Sequence, residues 1–109
     1  MTKLIKLDLL FETTSILGKK VRTHVSYWQK IKLDKHPESE FVLEDLKIAI
    51  TEADTVYQSN LSSSVYLYCK KLSKFSIIVV VRHLDGDGFV ITAYQTTRSI
   101  KDRKIIWPK

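Results

Sequence analysis

The chain has 109 residues, 44% of them hydrophobic, with three Gly, two Pro and one Cys. That size fits a single domain, residues 1–109, with enough apolar material for a core, and the composition excludes a disordered chain. Eighteen Lys and Arg against 12 Asp and Glu leave six net positive charges, a balance that favours polyanions, nucleic acid above all; the lone Cys69 excludes a disulfide framework or a zinc-thiolate cluster.

Lys3 to Phe11 reads as a first strand, with Ile5, Leu7 and Leu9 alternating against Lys6 and Asp8. The charges within it, and the want of a cleavage pattern after it, argue against a signal peptide or a membrane span, so a cytoplasmic protein is expected. Thr13 to Gly18 is a turn and Lys19 to Thr23 a second strand. Ser26 is expected to cap a short helix beginning at Tyr27, with Trp28 and Ile31 on its inner side. Pro37 disfavours helix at His36, which leaves Lys35 to Glu38 as a fixed loop.

The clearest helix follows. Val42, Leu43, Leu46, Ala49, Ile50 and Ala53 recur at helical spacing, Ser39 is the expected N-cap, and Glu40 suits the positive end of the dipole. The remainder reads as strands: a weak one at Val56–Ser59, then Val65–Lys70, then Phe75–Leu84 with the run Ile77-Ile78-Val79-Val80-Val81. Asp85-Gly86-Asp87-Gly88 signals a hairpin before Phe89–Thr96. The expected fold is α+β, two helices packed on an antiparallel sheet of about four strands, with an extra N-terminal strand pair.

Strict alternation along the last long strand puts Val90, Thr92, Tyr94 and Thr96 on one face, a row of two hydroxyls and a phenol. Thr and Tyr also favour sheets, so composition alone accounts for such a row. Arg82 and His83 precede the hairpin, and only one of them shares that face. A loop of two or four residues selects His83; a three-residue loop with a Gly bulge selects Arg82. Arg82 is the better phosphate ligand, because its planar fork matches phosphate oxygens.

Lys35-His36-Pro37-Glu38 joins a cation, a group titrating near neutrality and a rigid turn. Phosphodiester transesterification needs such groups: a base for the ribose hydroxyl, an acid for the leaving oxygen and a cation for the phosphorane. A lone Lys-His pair in a solvent-exposed turn is the plainer reading of the same residues, and His24 fits a capping or surface role. The three histidines, His24, His36 and His83, have no metal-ligand spacing, and the Asp-Gly-Asp-Gly turn lacks the remaining ligands of a calcium loop, so neither metal nor other cofactor is expected.

The order Tyr27-Trp28-x-x-Ile31, Lys35-His36-Pro37-Glu38, Glu44-Asp45, Tyr66-x-Tyr68, Val79-Val80-Val81, Gly88 to Tyr94 and Ile106-Trp107 resembles small phage and bacterial proteins of the barnase–EndoU–colicin–RelE-like nuclease superfamily. The resemblance runs from about Val21 to the C-terminus. It implies a metal-independent ribonuclease with helices before a four-stranded antiparallel sheet, a toxin held by an acidic antitoxin protein, and cleavage that leaves a cyclic phosphate. By position it makes His36 the acid or base, Lys35 a phosphate ligand, Arg82 the contact to the scissile phosphate, and Thr92 and Tyr94 its positioning groups. Trp28, Lys30 and Thr96 would bind the substrate, Trp28 by stacking a base or, equally, as a core residue. Lys30 stands where related sequences often carry a second histidine, which leaves His36 with Lys or Tyr partners. The alternatives are a non-catalytic module that binds RNA or protein through its basic face, and a regulatory protein whose contact surface is the acidic helix Glu40–Asp54.

Overall fold

The computed structural model describes residues 9–24, 28–29, 42–84, 87–100 and 102–108. They form seven strands, β1 (Leu9–Thr14), β2 (Lys20–His24), β3 (Thr55–Gln58), β4 (Val65–Lys71), β5 (Ser76–Leu84), β6 (Asp87–Thr96) and β7 (Lys104–Trp107), and the helix α1 (Leu43–Thr51). The strands make one mixed sheet in the order β1-β2-β6-β5-β4-β3-β7. The β2–β6 pair is parallel; every other pair is antiparallel.

This corrects the expected fold. Two helices on a sheet of about four strands, with a separate N-terminal pair, give way to one seven-stranded mixed sheet with α1 as the one helix described along its length. The N-terminal hairpin is not an appendage, because β2 docks on β6 and extends the sheet. At the far edge β7 adds to β3. Of the helix expected from Tyr27, only Trp28 and Gln29 are described, both with helical backbone.

Register sorts the side chains. Ile77, Val79 and Val81 of β5 lie opposite Tyr66, Tyr68 and Lys70 of β4, and opposite Val90, Ala93 and Gln95 of β6. This is the covered face. Leu46, Ala49 and Ile50 of α1 pack on it and form the buried core with Val21, Val56, Tyr68, Ile77, Val79, Val81, Val90 and Ala93. The hydrophobic spacing of α1 is what lets one stripe meet a sheet. Its cap is Val42 rather than Ser39. A valine offers no side-chain acceptor, and the Asp45 carboxylate instead accepts from the Val42 N–H at 2.9 Å, at the end of the helix where an acidic group is favoured.

The opposite face carries Ser76, Ile78, Val80 and Arg82 of β5 with Phe89, Thr92, Tyr94 and Thr96 of β6. From Thr96 the chain must pass β5, β4 and β3 to reach β7. Asp102, at φ 60, turns it into that last strand, and its carbonyl accepts from Asn60 Nδ2 at 3.4 Å. Left-handed backbone is tolerated at Asp.

The β1–β2 turn is fixed by Ser15, whose buried hydroxyl accepts from the N–H groups of Leu17 (3.2 Å) and Lys19 (3.4 Å). Ile16 donates to the Ile50 carbonyl at 2.9 Å, satisfying one of the acceptors that the last turn of a helix leaves open. Gly18 closes the turn at φ +80 with open space where a Cβ would stand. Gly18→Ala is therefore expected to cost about 1 kcal/mol, through backbone strain alone. A urea titration checks this, and an unchanged midpoint would contradict it.

Candidate functional site: a strip on one sheet face

The strip is built by the β5–β6 register. Leu84 pairs with Asp87 and His83 with Gly88, a two-residue connection that by simple alternation places His83 beside Thr92. The ladder then slips. Val81 faces Val90 and Val80 faces Thr92, so Ile91 is an extra residue and β6 changes phase there. Beyond the slip, Arg82 rather than His83 shares the face of Thr92. The same slip corrects the strict-alternation row: Val90 turns into the core, and Phe89, opposite Arg82, joins the strip.

Along the strip the rungs are Arg82–Phe89, Val80–Thr92, Ile78–Tyr94 and Ser76–Thr96. They span about 20 Å at the rise of a β-strand. Arg82 is half-buried and makes no ion pair or hydrogen bond among the described residues. Thr92 Oγ1 is buried and unpaired among the described residues. Burial raises the Tyr94 phenol above its ordinary value, with Cys69 adding to the rise and Arg103 opposing it. That phenol is protonated at neutral pH.

One other cation near the strip is engaged. On β2, Arg22 binds Glu12 at 2.7 Å and Asp87 at 3.6 Å. The Glu12 hydrogen bond, then the Asp87 charge, raise its already high pKa. Alternation along β2 gives His24 the same face as Lys20 and Arg22.

His83 points the other way. Its Nε2 lies 2.8 Å from the Tyr68 hydroxyl, and its ring meets Tyr66 edge-on at 5.1 Å. Burial, then the charge of Lys19, pushes its pKa down to about 4, so the ring is neutral at physiological pH. Burial pushes the Tyr68 phenol up to about 12, against a hydrogen bond with Ser15. This Ser15–Tyr68–His83 group was not legible in the sequence, because it joins the β1–β2 turn to two strands far along the chain.

Trp28 packs against the core cluster. Thr96 lies on the strip and accepts from the Arg98 N–H at 3.0 Å. Lys30, Lys35 and His36 lie outside the described residues. Among the described residues no three His, Cys, Asp or Glu are grouped to hold a metal ion, and no helix is long and apolar enough to cross a membrane. Comparison of the chain with protein-family models, with curated proteins and with solved structures gives no match.

Proposed function

We propose that the chain is a metal-independent ribonuclease that engages RNA on the β5–β6 strip that carries Arg82. The observation that carries this reading is the slipped register, which brings Arg82, with no ion pair or hydrogen bond among the described residues, onto one face with Thr92, Tyr94 and Thr96. In the reaction a base takes the ribose 2′-hydroxyl proton and the 2′-oxygen attacks phosphorus. The 5′-oxygen leaves with a proton from an acid, giving a 2′,3′-cyclic phosphate and a 5′-hydroxyl end. Arg82 stabilises the charge that grows on the phosphorane oxygens, Tyr94 donates to the phosphate, and His36 with Lys35 supplies proton transfer and a second cation. The same reading makes the protein a toxin with an acidic antitoxin as its partner.

Labelled RNA incubated with the chain in the presence of a chelator tests this. Fragments ending in a cyclic phosphate are expected, with none from 2′-O-methyl RNA. Arg82→Ala should slow cleavage about tenfold, the worth of one hydrogen bond from a charged group. His36→Ala should abolish cleavage. RNA left intact under every condition would sink the reading.

One observation favours a second reading, a non-catalytic RNA-binding module. The histidine of β5 is neutral and turned to the covered face, so it supplies no acid or base to the strip. Binding without cleavage, weakened by salt and by Arg82→Ala, would identify that case.

A further inference from the structure

On the face that carries Arg82 the chain leaving β6 lines a cleft of about 350 Å³, within the range of small-ligand sites. Its floor includes Ile78 and its wall Tyr57; Lys71, Ser76 and Arg98 stand around it, with Asp54 at one end. Ile78, on the same face as Ser76 and Arg82, is only 2% exposed. The cleft continues the strip directly. Ser76 and Ile78 pair with Thr96 and Tyr94, and Arg98 follows Thr96 by two residues, its backbone held by the Thr96 hydroxyl.

The charge of the cleft is positive. Asp54 is already engaged, accepting from Lys70 Nζ at 3.4 Å and from the Lys71 N–H at 2.7 Å. The side chains of Lys71 and Arg98 have no partner among the described residues. Two cations thus flank an aromatic ring and an aliphatic floor. An inorganic anion would use only the cations, and an apolar molecule only the floor and ring. A nucleotide uses both, with its base against Tyr57 and its phosphate between Lys71 and Arg98.

The geometry points to this cleft as a nucleotide subsite, taking one base and its phosphate from an RNA strand that continues along the β5–β6 strip. The assignment rests on the RNA-directed reading above. It adds a base-holding position beyond Thr96, with Tyr57 as the stacking surface and Lys71 and Arg98 as the phosphate ligands. The first of these lies on β3, remote from the hairpin in sequence.

Amide NMR titration of the whole chain with CMP, cytidine and inorganic phosphate, each alone, tests it. CMP should move the amides of Thr55, Ser99 and Ile100 and bind more tightly than either of its halves. The double variant Lys71→Ala/Arg98→Ala should weaken CMP about tenfold, as should Tyr57→Leu. Spectra unchanged elsewhere would show that both variants fold. Arg82→Ala should leave CMP binding as it was. Phosphate that binds as well as CMP would overturn the subsite, as would tighter binding of an acidic phosphopeptide at the same amides. RNA cleavage that depends on Arg82, with cleft amides unmoved by CMP, would overturn the subsite and leave the ribonuclease reading standing. CMP bound in the cleft, with RNA never cut, would do the reverse.

Discussion

Gly88→Ala should destabilise the protein by about 3 kcal/mol, the upper range for forcing an extra carbon into a packed site. A Cβ at Gly88 would stand 2.6 Å from His83 Nδ1, 2.9 Å from His83 Cε1 and 2.8 Å from the carbonyl oxygen of Lys20. Backbone conformation is not the issue, as it is at Gly18; the site has no room. The His83 ring cannot simply swing aside, because Tyr68 holds Nε2 and Tyr66 packs against the ring. The Lys20 carbonyl belongs to the backbone of β2, so making room there means moving β2 at its parallel junction with β6.

The expected readout is a lower urea midpoint. Selective loss of amide protection in β1 and β2 should accompany it, since among the described residues that hairpin joins the rest of the β-ladder at β6. Adding His83→Ala should restore part of the loss, because it removes the ring but not the Lys20 carbonyl. A Gly88→Ala protein within about 0.5 kcal/mol of wild type, the range of an ordinary surface substitution, would show that the two strands tolerate wider spacing than the structure has.

Gly88 also shows where sequence patterning stops. The strands β4, β5 and β6 are legible locally: Val65, Leu67 and Cys69 alternate with Tyr66, Tyr68 and Lys70, and the five-residue aliphatic run marks a central strand. Nothing local announces that β2 lies parallel to β6. That pairing is decided by a close approach of two backbones at Gly88, and the same glycine reads equally well as part of a turn. The strand β7 is four residues long and becomes a strand only by pairing with β3, nearly fifty positions earlier in the chain.

The candidate strip was half legible for a similar reason. Arg82, Thr92, Tyr94 and Thr96 stand out as residue types, but their common face depends on Ile91 being an extra residue in the ladder. Ile91 is a good strand former with no turn chemistry, so a slip there leaves no local signal. The hairpin glycines draw attention to the turn, whereas the phase change occurs in mid-strand. Tyr57, Lys71 and Arg98 come from three separate elements, and only the crossing after Thr96 brings them to one cleft.

Acidification should expose the buried histidine. In the folded chain His83 titrates near 4, against an ordinary value of 6.5. Between those two values the unfolded chain binds a proton that the folded chain refuses, so stability rises with pH across this window. The stabilisation is complete above pH 6.5 and is lost progressively as the pH falls toward 4. For a fully enclosed ring the difference is worth about 3 kcal/mol. His83 is half-buried, and screening by water brings the expected contribution to about 2 kcal/mol. The groups around the ring set this sign. The Tyr68 phenol is neutral, Gly88 adds no charge, and the charge acting on the ring is the cation Lys19, which further opposes protonation. His83→Gln keeps a polar group toward Tyr68 and removes the titration. Urea unfolding at intervals between pH 4.5 and 7 should give a positive slope for the wild type and a flatter one for the variant, whatever the variant loses at neutral pH. Equal slopes would place the acid sensitivity in the carboxylates, and His83 would then have to be more open to water than its contacts with Tyr66 and Tyr68 allow.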